Sequence, residues 1–357
     1  MITTSNRINY LTSWNPDARV LEKLNGTGFE SLHKLAVSDF KDTSLVEAFV
    51  QFYNVDEGCF VFNGHKLILS LQDVRYITGS PVNGNAVTGV DGNARDLCHR
   101  HLGSELNSEE GFSKSMVKTG WPRENYEKLD DNANEEKIAQ HTRAYVLFLI
   151  GYFIVPFSNG KFVPAMYLSL LENLEEIKDY AWGSALLSHL TCSIEKFRRE
   201  RARCIHGSFY IFMVNWGPYR RRRRDLIPCS IVHQEQVFLC PTIVLCYIKA
   251  IYHCPDLVPM QFGVRAEHLK KTFPGLFTLH TEGRGGRAKD WRVYGIYRNH
   301  FQMWQNRGNQ IIIDSQRMLE QQENQQKEER TAESVRHAYF STSTCRSTEN
   351  TLGGNGL

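Results

Sequence analysis

The residues best suited to binding chemistry are basic and lie between positions 196 and 224. This basic segment has ten Lys or Arg residues and one acidic residue, Glu200, so its net charge is +9 over 29 residues. The basic residues are Lys196, Arg198, Arg199, Arg201, Arg203, Arg220, Arg221, Arg222, Arg223 and Arg224. Guanidinium groups pair with phosphate oxygens and release counterions from nucleic acids. The segment therefore indicates phosphate contact or a nuclear-import signal.

A solvated helix face followed by a solvated loop is the alternative interpretation, since a basic cluster alone carries no base readout. That alternative suits Arg198 to Arg203 better than the arginine run, because five adjacent like charges repel one another without any folding benefit. Gly283-Arg284-Gly285-Gly286-Arg287 is also flexible and basic, but a mobile loop before a helix near Asp290 is favoured there. Gly26-Thr27-Gly28 lacks phosphate-loop spacing and predicts a helix end.

Cysteine and histidine occur in two sets that contain metal-ligand types. The first is Cys98-His99-Arg100-His101, and the second comprises Cys240, Cys246, His253 and Cys254. Structural zinc usually takes closely spaced cysteine pairs, so these spacings favour packing cysteines, the second set on a predicted buried helix. The sequence also has no G-x-S-x-G, H-E-x-x-H or metallophosphatase string. We expect no catalytic residue, cofactor or metal; an enzyme would need distant side chains to converge in a pocket.

Composition places the chain among globular proteins. It has 357 residues, a net charge of +3, 41% hydrophobic and 23% charged residues. Because the basic segment carries +9, the rest of the chain is mildly acidic. The longest apolar run, residues 144–157, is shorter than the roughly 20 residues of a membrane span. The N-terminal sequence lacks a secretory pattern, and nine cysteines without a C-x-x-C pair favour a reducing compartment.

The elements that position these residues are predicted to be mainly helical in the first third of the chain. Asp42 can cap a helix whose apolar residues recur at three- and four-residue steps up to Tyr53. Asn63-Gly64 predicts a β-hairpin, and Ser70 to Asp73 predicts a capping box that opens a helix ending at Gly79. Asn83-Gly84 predicts a second small turn or hairpin.

The later elements are also predicted from hydrophobic spacing. Residues 92–134 predict a loop-rich connection with one short helix at 96–102. Helices are expected from Asn134, across residues 180–190, and from Pro241 to His253. A helical aromatic stripe, favoured as core, comprises Trp291, Tyr294, Tyr297, Phe301 and Trp304. Residues 314–357 predict a solvated helix that leads into a disordered tail.

Several strings, taken in order, resemble the plant mobile domain family, also called aminotransferase-like plant mobile domain. They are LVEAFV from Leu45, LSLQDVRYITGSPVNGNAVTG from Leu69, residues 144–190, QFGVR from Gln261 and Asp290-Trp291. The family occurs in maintenance-of-meristems-like proteins and in long-form homologues of serine/threonine phosphatase 7. Its signature residues, expected to be structural, are Asp73, Gly79, Pro81, Gly84, Gly89, Trp182, Gly183, Asp290 and Trp291.

The resemblance implies a mainly α (α+β) fold with small Asn-Gly hairpins, in a domain over residues 15–313 between an extension, 1–14, and a tail, 314–357. It implies a non-enzymatic nuclear plant protein that acts in transposable-element silencing, genome stability and meristem maintenance. Protein partners are expected to include a phosphatase-7-type long-form homologue or other plant mobile domain proteins, with no membrane association. The alternative is a transposon-derived nucleic-acid-binding module that uses residues 196–224.

The aminotransferase-like label transfers no catalytic residue, because no pattern identifies a cofactor-bearing lysine. His65 and the arginine run depart from the usual family pattern.

Overall fold

The structure, a computed structural model, describes most of the chain up to residue 310. The described residues are 3–4, 14–36, 43–89, 92–103, 111–157, 161–200, 204–205, 207–208, 211, 234–247, 249–262, 278–281, 292 and 295–310. All belong to a compact unit that spans Met1–Ile311. The predicted tail, the glycine-arginine string, Asp290, Trp291, Arg201, Arg203 and the arginine run lie outside the described residues.

Helices supply most of the regular structure, as predicted. The α-helices of the described residues are α1 (Ala18–Lys23), α2 (Phe29–Ala36), α3 (Thr43–Gln51), α4 (Leu71–Thr78), α5 (Ala94–Leu102), α6 (Trp121–Tyr126), α7 (Glu135–Leu149), α8 (Trp182–Glu200), α9 (Glu235–Phe238) and α10 (Gly295–Gln305). A π-helical turn, Ile150–Ile154, extends α7. The 3-10 helices are Ala165–Leu171, Leu174–Asp179, Pro255–Phe262 and Arg307–Gln310.

The strands are short and mostly antiparallel. They are β1 (Thr3–Thr4), β2 (Tyr53–Asn54), β3 (Cys59–Phe62), β4 (His65–Leu67), β5 (Phe112–Ser113), β6 (Met116–Lys118), β7 (Phe162–Pro164), β8 (Cys204–Ile205), β9 (Thr242–Cys246), β10 (Lys249–His253) and β11 (Thr278–Thr281). Three sheets have the orders β2-β3-β4, β5-β6-β7 and β11-β10-β9, while β1 pairs in parallel with β8. The predicted mainly α (α+β) class is confirmed.

The core is built around α7 and α8. Asn134 caps α7, and its side chain accepts a hydrogen bond from the backbone N–H of Lys137 at 2.9 Å. Every residue from Ala144 to Ile150 is buried, and in α8 the first eleven residues are buried. Helices α1, α2, α5 and α6 pack on α7, whereas α4, β9 and β10 pack on α8. The predictions of buried core helices from Asn134 and across residues 180–190 are therefore confirmed.

The first hairpin and the capping box form as predicted. Asn63 and Gly64 have φ values of 50° and 84°, and Phe62 pairs with His65 across the turn. At α4, the Ser70 hydroxyl accepts from the Asp73 backbone N–H, while the Asp73 carboxylate accepts from the Ser70 N–H at 2.7 Å. Gly79 ends α4 in the left-handed conformation, with φ of 70°. These features form because they depend on interactions between residues close in sequence.

The predicted helix from Pro241 to His253 is wrong. Thr242–Cys246 and Lys249–His253 are antiparallel strands, joined by a turn in which Tyr247 has φ of 55°. All five residues of β9 are buried. A strand buried on both faces has no alternating pattern, so hydrophobic spacing alone does not distinguish it from a buried helix. The β-branched residues Thr242, Ile243 and Val244 favour the strand.

Two further predictions need correction. Of the small turn or hairpin predicted at Asn83-Gly84, a bend forms and a hairpin does not, because Asn85 bridges Tyr180 and Val87 bridges Cys246, both distant in sequence. Residues 92–134 contain more structure than one short helix, since β5, β6 and α6 follow α5. Strand β6 pairs with β7, a long-range contact that local apolar density does not reveal.

The aromatic stripe is placed in the core where it is described. Tyr297 and Trp304 are buried on α10, and Phe301 is half-buried between them. Trp291 and Tyr294 lie outside the described residues. Gly26 and Gly28 lie between α1 and α2, which confirms the predicted helix end. Within the described part of the chain, no helix is both long and apolar enough to cross a membrane.

Candidate functional site: the signature loop and the basic helix end

The loop Gly79–Gly89, here called the signature loop, is hydrogen-bonded to residues distant in sequence. It follows α4 and passes the turn before α2, where a Cβ added to Gly28 would lie 2.6 Å from Pro81 Cδ. A Cβ added to Gly79 would lie 2.5 Å from Ser31 Oγ of α2. The glycines at both positions therefore permit backbone contact between the loop and the N-terminal helices.

The first turn of α8 holds the loop from a second side. The Gly183 N–H donates to the Pro81 carbonyl at 2.6 Å, and the Ser184 hydroxyl donates to the Val82 carbonyl at 2.7 Å. A Cβ added to Gly183 would lie 2.8 Å from Val82 Cγ1. Small residues at the start of α8 thus allow close approach to the loop rather than to another helix.

The middle of the loop is paired with the segment before α8. The Asn85 N–H donates to the Asp179 carbonyl at 2.6 Å, and the Ala181 N–H donates to the Asn85 carbonyl at 2.9 Å. Gly84 has φ of 128°, and an added Cβ would collide with the Asp179 carbonyl. Only glycine fits this position without strain.

Residues far along the chain complete the enclosure. Gln234 Oε1 accepts from the Val82 N–H at 2.8 Å, and Trp304 Nε1 donates to the Gly84 carbonyl at 3.0 Å. Arg307 donates from Nε to Asn83 Oδ1 at 2.9 Å and stacks 4.1 Å above the Trp304 ring. Burial lowers the pKa of Arg307. The signature loop is therefore hydrogen-bonded to separate parts of the sequence, namely residues 179–184, Gln234, and Trp304 with Arg307.

The other described signature residues are also packed inside. Trp182 is fully buried, donates from Nε1 to the Ile177 carbonyl at 2.9 Å and makes edge contacts with Phe29 and Tyr167. A Cβ added to Gly89 would lie 2.8 Å from the Met166 methyl group. Burial raises the pKa of Asp73, which its two hydrogen bonds with Ser70 partly oppose. The Trp182 and Asp73 side chains thus bond to backbone groups, and glycine at position 89 permits close packing on Met166.

The described basic residues of the basic segment lie at the C-terminal end of α8. Arg198 donates to the Tyr53 carbonyl at 3.2 Å and to Gln51 Oε1 at 2.8 Å. Arg199 donates to the Val55 carbonyl at 3.4 Å and lies 3.7 Å from a Glu195 carboxylate oxygen. Both arginines, predicted as phosphate contacts, thus bind the chain that joins α3 to β3.

Beside this helix end lies Phe52, which the sequence did not single out. It is 47% exposed and its ring centroid is 4.7 Å from that of Phe62. Phe49 also contacts Phe62, with centroids 5.1 Å apart. Phe52 is out of step with the apolar stripe of α3, and that mismatch is the sequence signal for an exposed aromatic residue. Phe52, Phe62, Arg198 and Arg199 are called the aromatic-basic surface below.

Comparison with known proteins agrees with this arrangement. The profile of the plant mobile domain family matches residues 28–214, more than half of the chain. The chain belongs to this family. The plant mobile domain match contains the signature loop and all of α8, and it ends before Arg220. The arginine run therefore lies outside the residues that the family profile matches.

Curated relatives come from Arabidopsis thaliana. The chain is 30% identical to Protein MAIN-LIKE 2 over 50% of its length and 27% of the relative. It is 30% identical to Serine/threonine-protein phosphatase 7 long form homolog over 87% of its length and 28% of that protein. Identity to Protein MAINTENANCE OF MERISTEMS is 27%, over 59% of the chain and 44% of the relative. The chain thus spans less than half the length of these relatives, and no solved structure matches it.

Proposed function

We propose that this plant mobile domain protein is a non-enzymatic nuclear module that acts in transposable-element silencing, genome stability and meristem maintenance through protein partners. The observation that carries the proposal is family membership together with similarity to a relative named for maintenance of meristems. The signature loop supports a structural role for the signature residues, because its backbone groups at Val82, Gly84 and Asn85 are hydrogen-bonded to the surrounding fold. Other plant mobile domain proteins and a phosphatase-7-type long-form homologue are the proposed partners.

The aromatic-basic surface is the proposed contact for a partner. An exposed phenylalanine beside arginines is typical of protein interfaces, which are enriched in aromatic residues and arginine. Phe52 lies against Phe62, so the ring is held in place before a partner binds. Little side-chain entropy would be lost on binding.

Affinity purification from plant nuclei tests this role. The wild-type protein is expected to retain partners after nuclease treatment, and Phe52→Ser is expected to lose them because the exposed ring is removed. Gln302→Ala, on an exposed position of α10, is the control and should bind as the wild type does. Partners that disappear with nuclease, or that Phe52→Ser retains fully, would contradict the proposal. Unchanged transposon transcripts and meristems in plants lacking the gene would also contradict it.

A second candidate function, direct nucleic-acid binding, is favoured by the +9 segment. Each phosphate contact contributes about 0.9 to the slope of log affinity against log salt on double-stranded DNA. Replacing Arg220 to Arg224 by serine is therefore expected to flatten that slope by up to about 4.5 units. The measurement is DNA binding by fluorescence anisotropy across a salt series, and an unchanged slope would reject this function for the arginine run.

A further inference from the structure

The amine of Lys249 contacts an imidazole inside the fold. Lys249 opens β10, and its Nζ lies 2.8 Å from Nδ1 of His189 on α8. His189 is 3% exposed, while Lys249 is half-buried. The Phe157 ring centroid lies 5.8 Å from Nζ and 5.9 Å from the imidazole. The amine and the imidazole thus share a largely apolar setting, and the lysine residue that carries the amine is partly exposed.

The groups around this amine are thiols and one other cation. Cys246 is the cross-strand partner of Lys249, and Cys192 lies one turn beyond His189 on α8. Tyr167 forms a hydrogen bond with Cys246, and Lys196 is the second cation. Among the described residues, no carboxylate is placed to neutralise Lys249.

This setting favours the neutral amine. Removal from water disfavours the ammonium form, so burial lowers the pKa of Lys249. A neutral amine is a nucleophile, and an imidazole within hydrogen-bond distance can receive its proton. The pair therefore has the geometry of a nucleophile with an adjacent base.

We propose that Lys249 is an acyl-acceptor site, modified by small activated acyl groups such as thioesters and acyl phosphates, with His189 receiving the amine proton. The Nζ lone pair forms a C–N bond to the acyl carbon, the bond to the thiolate or phosphate breaks, and the leaving group departs with the bonding electrons. The proton moves from Nζ to His189 Nδ1 and then to solvent. No oxidant or reductant is needed.

The charge of the product identifies acyl groups as the favoured electrophiles. An amide is neutral and suits the apolar surroundings, whereas a protonated imine from an aldehyde would restore a cation there. The amide also retains one N–H, which can still donate to His189 Nδ1. This site lies apart from the aromatic-basic surface and is independent of the proposed function.

Site-resolved acylation tests the inference. The folded full-length chain is treated with limiting acetyl phosphate, and separately with the acetyl thioester of N-acetylcysteamine, and occupancy of each lysine is measured by peptide mass spectrometry. Lys196, which is exposed on α8 and paired with Glu200, is the internal control. Lys249 is expected to be acylated several-fold faster than Lys196 near neutral pH, and its rate should reach a plateau at lower pH.

The variant His189→Gln tests whether His189 acts as a base or only holds the Lys249 amine in position. Glutamine offers an oxygen acceptor to Lys249 but cannot take its proton at neutral pH, so the rate at Lys249 should fall several-fold while that at Lys196 stays unchanged. If this variant does not fold, the pH profile of the wild-type protein tests the proposal instead, since the acylation rate of Lys249 should reach its plateau at a lower pH than that of Lys196. Acylation of Lys249 no faster than Lys196, or only after denaturation, would overturn the proposal.

Discussion

At the residue scale, Gly84 shows how a signature residue can be required for backbone geometry. Its φ of 128° is one that side-chain-bearing residues rarely adopt, and the space beside its Cα is filled by the Asp179 carbonyl. Gly26 also has a positive φ, of 76°, but nothing lies within 4 Å of an added Cβ. Gly84 is therefore required both by its backbone conformation and by lack of space, whereas Gly26 is favoured by its backbone conformation alone.

Gly84→Ala is expected to lower the free energy of unfolding by about 2–4 kcal/mol, because both strain and a backbone collision oppose the methyl group. Gly26→Ala, the control, should cost about 1 kcal/mol, since only backbone preference opposes it. Urea denaturation followed by circular dichroism measures both. Equal losses in the two variants would show that the contact with Asp179 does not determine the choice of glycine.

At the element scale, His253 joins three elements that are distant in sequence. It ends β10, its Nδ1 lies 2.9 Å from the Cys240 carbonyl before β9, and its Nε2 accepts from the Leu71 N–H at the start of α4. Burial lowers the pKa of His253 from 6.5 to about 4. The folded protein therefore holds the imidazole neutral at pH values where the unfolded chain protonates it.

This shift predicts acid sensitivity. Because the unfolded state binds the extra proton, the free energy of unfolding should fall as the pH decreases from 6.5 to about 4, by about 3 kcal/mol from this group. His253→Asn should lose that part of the pH dependence, as measured by urea midpoints from pH 7 to pH 4. His99→Gln, on an exposed position of α5, should retain it. An unchanged pH dependence in His253→Asn would refute the assignment.

At the scale of the whole molecule, the signature loop connects elements that would otherwise be separate local units. It contacts α8, Gln234 before α9, Trp304 of α10, and Arg307 in the 3-10 helix that follows α10. Val87 accepts from the Tyr247 N–H at 3.0 Å, which adds the β9–β10 turn. Loss of any one of these contacts should weaken the others, because they share one segment of backbone.

Cooperative unfolding is the expected consequence for the described unit. Tryptophan fluorescence, to which the buried Trp14, Trp121, Trp182 and Trp304 contribute, and far-ultraviolet circular dichroism should give the same urea midpoint. Gly84→Ala should shift both midpoints equally. Two separated transitions would mean that the loop does not couple the elements.

The sequence alone determined the features that depend on neighbouring residues. The Asn63-Gly64 hairpin, the Ser70–Asp73 capping box and the end of α4 at Gly79 form from interactions within a few positions, so composition and spacing were sufficient. The family was likewise evident from ordered strings, which the profile match confirms. Long-range contacts were decided only by the tertiary structure.

Buried strands β9 and β10 have no spacing that separates them from a helix, and their identity depends on pairing with each other and packing on α8. Asn83-Gly84 forms no hairpin because its neighbours pair with Tyr180 and Cys246 instead. The sequence shows that Arg198 and Arg199 are charged, but only the tertiary structure shows that they donate to the carbonyls of Tyr53 and Val55. Local propensity sets what a segment can form, and burial against distant partners selects among those possibilities.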